Sequence, residues 1–307
     1  MMTFSGIWIP LVTPFFEGGL DLQSYDRLVE HYIREGAAGL FPLGTTGESP
    51  VLDAAEASAL IEHTLAIAAG RIPVFVGVGG NATAKVVHDL KWLENHAVDG
   101  IVSVCPYYNR PSQDGLFEHF DRVAEATDRP ILIYNIPYRT GVNLANDTVL
   151  RLADRHRHIV GVKDSSGSLT QSIDLLRRRP SGFAVLTGED VFFYTMLAHG
   201  ADGGILAAAH LATREFVAVF EAMRANDHHH ARLLWSRLEP PVALLFQEAN
   251  PMPVKYCLWR QGLLRSPECR LPLTHVSATL ASTLDGLLDG LAILPQRWET
   301  SGRQHRQ

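Results

Sequence analysis

Ile131-Leu132-Ile133-Tyr134, Ile159-Val160-Gly161-Val162 and Ala184-Val185-Leu186-Thr187 are three short β-rich runs. The stretches between them, near 145–156 and 169–179, carry apolar residues at three- and four-residue spacing, which reads as amphipathic helix. Strand and helix in alternation imply parallel pairing, because a parallel neighbour needs a crossover long enough to hold a helix. The alternation continues outward from this stretch. Upstream lie Ile7–Val12, Leu40–Leu43, Val74–Val78 and Ile101–Cys105, and Gly204–Ala207 lies downstream. Helical patterning falls near 24–35, 53–69, 83–96, 114–127, 190–199 and 213–225, with Asp53, Thr83 and Asp114 read as N-caps. Eight apolar strands, each followed by a helix, predict an α/β fold of the (β/α)8 TIM-barrel type. An open doubly wound sheet is the alternative.

Beyond about residue 226 the strand signal stops. Helical segments near 227–247, 253–263 and 274–292 predict a C-terminal helical appendage. The expected organisation is a catalytic barrel over 1–226, the appendage over 227–294, and a disordered polar tail over 295–307. A chain of 307 residues with 46% hydrophobic content can bury a core of this size. The net charge of -6 is spread among interspersed signs, which argues against nucleic acid as a partner. The first residues lack the pattern of a secretory signal and no apolar run is long enough to span a bilayer, so a cytoplasmic protein with no membrane partner is expected. Cys105, Cys257 and Cys269 are too few and too scattered for a disulfide framework or a zinc site, and read as packing residues.

In such a barrel the active site lies at the C-terminal ends of the strands. The residues there are unusually polar. Gly44-Thr45-Thr46-Gly47-Glu48 follows the second strand, and its backbone N–H groups and hydroxyls suit a carboxylate, although a tight capping turn has the same composition. Tyr107, Tyr108 and Arg110 follow the fourth strand; Tyr134, Tyr138 and Arg139 follow the fifth. A phenol can shuttle protons if its neighbours tune it, and Arg139 offers a planar partner for a second carboxylate. Lys163 ends the sixth strand. Burial disfavours the ammonium form, so its free amine becomes available to attack a carbonyl carbon. A structural pairing with Asp164 or Glu48, or a phosphate, is the competing use. Condensation with a 2-oxo acid needs one group to donate and accept protons, a role assigned to Tyr134, and oriented donors at Thr45 and Thr46 to hold the carboxylate. No metal or organic cofactor is required for that chemistry, because the iminium is itself the electron sink.

Gly44-Thr45-Thr46-Gly47-Glu48-Ser49, Pro106-Tyr107-Tyr108-Asn109-Arg110-Pro111-Ser112, Tyr134-Asn135-Ile136-Pro137, Arg139-Thr140-Gly141 and Gly161-Val162-Lys163-Asp164 occur in one order. In this the chain resembles the dihydrodipicolinate synthase and N-acetylneuraminate lyase superfamily of class I aldolases, over residues from about 5 to 292. Asn250-Pro251-Met252-Pro253-Val254-Lys255 resembles the synthase branch. The resemblance implies a lyase with Lys163 as Schiff-base residue, Tyr134 as acid/base group, and Thr46 on the pyruvate carboxylate. Thr45 and Tyr108 would complete a proton relay with Tyr134, with Tyr107 reaching across a tight-dimer interface. Arg139 would bind the carboxylate of aspartate semialdehyde, and the carbonyls of Gly188 and Ile205 would complete the pocket. It further implies a homotetramer and a place in lysine biosynthesis. Asp164-Ser165-Ser166, Tyr138 before the arginine, and the hydroxyl-poor Leu206-Ala207-Ala208-Ala209-His210 depart from the usual synthase pattern and bear on the second substrate. Ala54, Ala57 and Lys85 stand where lysine-inhibited synthases place effector-cleft residues, which predicts weak or absent inhibition by lysine.

Other readings compete. A 2-oxo-3-deoxy sugar acid or a 4-hydroxy-2-oxo acid would suit an aldolase or dehydratase of the same class. A non-catalytic barrel that binds a 2-oxo acid is a further alternative, disfavoured by the complete residue set. Gly77-Val78-Gly79-Gly80 imitates a dinucleotide fingerprint, but Asp99 precedes the next strand instead of ending it. His228-His229-His230 reads as a solvated helix start, since consecutive helical positions point in different directions.

Overall fold

In chain order the elements are β1 (Gly6–Ile9), β2 (Phe15–Phe16), β3 (Gly19–Leu20), α1 (Leu22–Arg34), β4 (Gly39–Leu40), α2 (Ala54–Ala68), β5 (Phe75–Gly77), α3 (Thr83–Leu93), β6 (Gly100–Val104), α4 (Gln113–Glu125), β7 (Ile131–Asn135), α5 (Pro137–Thr140), α6 (Asn146–Arg155), β8 (Ile159–Asp164), α7 (Leu169–Arg178), β9 (Ala184–Thr187), α8 (Phe193–Ala198), β10 (Gly203–Ile205), α9 (Thr213–Arg224), α10 (His228–Leu245), α11 (Met252–Arg260) and α12 (Ala278–Gly290). They belong to a computed structural model that describes residues 4–290. The tail read at 295–307 lies outside the described residues.

Eight strands form one parallel sheet in the order β4-β1-β10-β9-β8-β7-β6-β5. The parallel bridge between Leu40 and Val74, with Leu40 N–H donating to Pro73 O at 3.0 Å, joins the two ends and closes the barrel. All eight expected strands are present, and the expected helices recur within a few residues of the boundaries read from periodicity. The β2–β3 hairpin and α5 had no signal in the pattern; two-residue strands and a single helical turn are too short to establish a period.

Two apolar layers hold the fold. One lies between strands and helices, and α1 illustrates it: Tyr25, Leu28, Val29 and Tyr32 form its buried stripe. The other fills the lumen with Phe4, Trp8, Phe41, Phe75, Val102, Leu132, Tyr134, Leu186 and Ile205 among others. At the bottom Phe4 packs on Trp8, and both meet Phe75 edge-on, with centroids 5.0–5.8 Å apart. Trp8 fits because its neighbour in register is Gly39, where a Cβ would come within 2.4 Å of the indole. Gly39→Ala would therefore strain the plug, at a cost of about 1–3 kcal/mol.

Asp53 caps α2 as expected, in a reciprocal capping box with Glu56. The other two assignments are corrected. Thr83 is the first helical residue of α3 and its hydroxyl pairs with His119 Nδ1 at 2.9 Å. Ser112, not Asp114, caps α4 by accepting from Gly115 N. Asp99 has a structural use at the barrel's closing edge, accepting from Val74 N at 2.8 Å, and His228 to His230 are exposed at the start of α10. Cys105 and Cys257 are fully buried and Cys269 is partly so; all three are free thiols.

After α9 the helices α10 to α12 cover one side of the barrel, with Trp235 of α10 against Phe193 and Phe216 at centroid distances of 5.9 and 6.2 Å. Two buried polar links run from this part to the loop after β4. Lys255 Nζ lies 2.7 Å from Glu48 Oε1, and Asn250 Nδ2 donates to Thr46 Oγ1 at 2.9 Å.

Candidate active site

Tyr134 and Lys163 are partners in register on the adjacent strands β7 and β8, so both side chains project into the lumen near its mouth. A shift in register between Ile131 and Leu132 skips Val160, and sets Gly161 and Lys163 in line with Leu132 and Tyr134. Lys163 Nζ sits 4.1 Å from the centre of the Tyr134 ring and 5.4 Å from that of Phe41. Gly188 is required beside it: a Cβ there would lie 2.7 Å from Lys163 Cε and 2.3 Å from Ser165 Oγ.

Lys163 is 5% exposed, and no hydrogen bond or ion pair is formed by its amine among the described residues. Both carboxylates that competed for it are engaged elsewhere. Asp164 accepts from Ser172 Oγ at 2.5 Å and from Ser166 N at 2.9 Å, while Glu48 is held by Lys255. Burial lowers the Lys163 pKa to about 8, against the opposing pull of Asp190 and Glu189 and with help from Arg139. About a tenth is thus free amine at pH 7, far more than for an ordinary lysine, and the free amine is what a nucleophile toward carbonyl carbon requires.

Tyr134 is 5% exposed, and burial raises its phenol pKa well above the ordinary value. Ser165 and Thr45 are close enough to act in the opposite direction, and Ser165 Oγ is otherwise buried without a hydrogen-bond partner. The phenol therefore stays protonated in the resting site and faces two hydroxyls. Thr45 and Tyr134 line a cavity of about 810 Å3 together with Tyr107 and Arg139, the last carried by α5. Thr46, next in the chain, is buried at 3% exposure. Ile205 ends β10 within the lumen cluster.

The two tyrosines after β6 part company. Tyr107 lines the cavity of its own chain, whereas Tyr108 has a positive φ of 73° and is 88% exposed. Within one chain Tyr108 is not brought to Tyr134.

The sequence reading passed over Glu189 and Asp190, and quoted Ser165 and Asn250 within motifs without giving either a place in the site. Asp190 is buried and accepts from Ala208 N at 2.6 Å; burial raises its pKa to about 7. Glu189 is likewise raised to about 7, mainly by burial and then by Asp164, and its Oε1 is buried without a partner. Their signal was positional, since both directly follow a barrel strand. Asn250 had no such signal: it lies 204 residues from the loop it touches. The described residues hold no cluster of three metal-ligating side chains, and no helix among them is long and apolar enough to cross a membrane.

A closed (β/α)8 barrel with a buried, carboxylate-free lysine at its mouth is the architecture of a class I aldolase. Residues 3–290 match the model of the dihydrodipicolinate synthetase family, and the chain belongs to that family, whose members are lyases of the class I aldolase type. It is 47% identical over 287 residues to 4-hydroxy-tetrahydrodipicolinate synthase 2 of Clostridium acetobutylicum, covering 94% of this chain and 100% of the relative. The enzyme named 4-hydroxy-tetrahydrodipicolinate synthase in Thermodesulfovibrio yellowstonii is 38% identical over 291 residues, with 95% and 99% covered. Among solved structures, dihydrodipicolinate synthase from Aquifex aeolicus superposes with a TM-score of 0.92 at 38% identity, covering 95% of this chain and all of the other. A monomeric dihydrodipicolinate synthase variant superposes at 0.93 with 36% identity, over 95% and 98% of the two chains.

Proposed function

We propose that this chain condenses pyruvate with aspartate 4-semialdehyde, as a 4-hydroxy-tetrahydrodipicolinate synthase of lysine biosynthesis. The observation that carries the reading is the Lys163 amine, buried at the barrel mouth with no paired carboxylate and a pKa lowered to about 8. The free amine attacks C2 of pyruvate to give a carbinolamine. Tyr134, protonated in the resting site, donates to the leaving oxygen, which departs as water and leaves an iminium. The Tyr134 phenolate then takes a proton from C3, giving an enamine whose carbon attacks the aldehyde, and the regenerated phenol protonates the new alkoxide. The amino group of the second substrate then displaces Lys163 from C2, closing the ring and restoring the amine.

Thr45 lines the cavity beside Tyr134, and Arg139 at its exposed rim meets the carboxylate of the semialdehyde. Thr46, next in the same loop, holds the pyruvate carboxylate. The carbonyls of Gly188 and Ile205 border the iminium. Tyr108, exposed on its own chain, joins the relay from a second subunit, and Tyr107 stays with its own cavity. The assembly proposed on that ground is a homotetramer of two tight dimers, working in the cytoplasm without a cofactor.

Reduction with borohydride in the presence of pyruvate tests the reading. The expected result is one pyruvyl adduct on the peptide that contains Lys163, together with turnover when aspartate 4-semialdehyde is supplied. An adduct elsewhere overturns it. Turnover only with 2-oxo-3-deoxy sugar acids would move the chain to a different substrate. Ala54, Ala57 and Lys85 line the outer part of the same cavity, and a cationic Lys85 repels a second lysine. Micromolar lysine is expected to leave the rate unchanged.

A further inference from the structure

We infer that Asn250, in the turn before α11, is a positioning residue that aims the Thr46 hydroxyl at the substrate carboxylate. The inference rests on the proposed reading of Thr46 as the ligand of that carboxylate. Asn250 Nδ2 donates to Thr46 Oγ1 at 2.9 Å, and both residues are buried. A threonine hydroxyl has one proton and two acceptor lone pairs. With one lone pair occupied by the amide N–H, the proton is directed away from Asn250, and no acceptor for it is paired among the described residues. A carboxylate anchored at the loop supplies that acceptor, so the amide sets the polarity of the site before substrate arrives.

The bond is not needed to hold the loop in place. Glu48 is tied to Lys255 at 2.7 Å and accepts from Arg270 N at 3.0 Å, and Thr13 Oγ1 donates to Gly47 O at 2.7 Å. These contacts fix the backbone just after the hydroxyl, and Gly47 N–H donating to Gly44 O and Glu48 N–H donating to Thr45 O, both at 3.1 Å, tie it to the residues before. What Asn250 adds is direction, and it does so although its own Oδ1 is buried without a partner. Leaving such an acceptor buried and unpaired works against the folded state, so the side chain is in the wrong place for stability alone.

The test uses the full chain with Asn250→Ala and Asn250→Asp, read by borohydride trapping of Lys163 against pyruvate concentration, by steady-state constants and by thermal melting. Asn250→Ala is expected to raise half-saturating pyruvate about tenfold. Asn250→Asp keeps the side-chain volume but accepts the Thr46 proton and brings a like charge, and is expected to raise it about 100-fold. The KM for the aldehyde should stay within about twofold, because that substrate contacts other groups. In a Thr46→Val background Asn250→Ala should have no further effect on pyruvate saturation. Unchanged pyruvate saturation in the aspartate variant overturns the inference. So does an equal loss in the Thr46→Val background, or a fall in melting temperature with every kinetic constant moved alike. Absence of any adduct on Lys163 in the parent protein breaks the functional reading instead, which keeps the two failures distinct.

Discussion

Lys163 and Lys255 are both buried, at 5% and 0% exposure, and each lies over an aromatic ring at 4.1 and 4.4 Å respectively. Only Lys255 has a carboxylate in contact, Glu48 at 2.7 Å. Lys163 instead faces Glu189 and Asp190 without touching either, and burial lowers its pKa to about 8. The same side chain is thus a brace in one place and, in the proposed reaction, the nucleophile in the other. The difference lies in whether the surroundings compensate the burial: Lys255 has a carboxylate in direct contact, while desolvation left uncompensated at Lys163 favours its neutral amine.

Exchange of either lysine sharpens this contrast. Lys163→Arg removes the nucleophile of the proposed reaction, and kcat is expected to fall by about 10⁴-fold or more; a guanidinium that cannot lose its charge, buried without a paired carboxylate, should lower the melting temperature as well. Residual turnover near the parent level would place the chemistry elsewhere. Lys255→Met leaves Glu48 buried and unpaired, which should destabilise the fold by about 3–5 kcal/mol in denaturant unfolding. The double variant Lys255→Met, Glu48→Gln should recover most of that loss. If the single variant unfolds like the parent, the brace has no energetic weight.

Titration gives a smaller effect. Attack needs the unprotonated amine, so kcat/KM for pyruvate should rise with pH and level off above about 8, falling about tenfold per unit on the acid side. A profile that is flat down to neutral pH would show that Lys163 is depressed further than burial accounts for. The smallest expected change is that of Glu189→Gln. Its negative charge raises the Lys163 pKa, so its removal should shift the acid limb to lower pH, by roughly half a unit. A shift in the other direction would mean that Glu189 acts on the amine by some route other than its charge.

Much of this was legible before the tertiary structure. The eight strands and the helices between them follow from periodicity, because burial on one or both faces imposes a repeat that the chain must carry. Lys163 was visible because a charged residue terminates a run of apolar ones, Tyr134 because a phenol stands near the end of another, and Thr45, Thr46 and Arg139 because each follows a barrel strand. Thr83 and Asp114 were misread as caps, since a cap depends on which residue leaves helical geometry, a choice of one or two positions that composition leaves open. Tyr107 and Tyr108 are adjacent and chemically identical, so no pattern could say which would turn outward; the positive φ at Tyr108 decides it.

The sequence by itself determined the alternation that makes a barrel, the strand end at which an amine is buried, and the polar residues placed around it, all properties set within a few residues of each other. Only the tertiary structure decided which carboxylates reach which lysine, and that Asn250 and Lys255 of the C-terminal helices grip the loop at 46–48. Those pairings join residues more than 200 positions apart. Nothing local encodes them, because the distance between such groups is set by how the helices pack on the barrel and not by spacing along the chain.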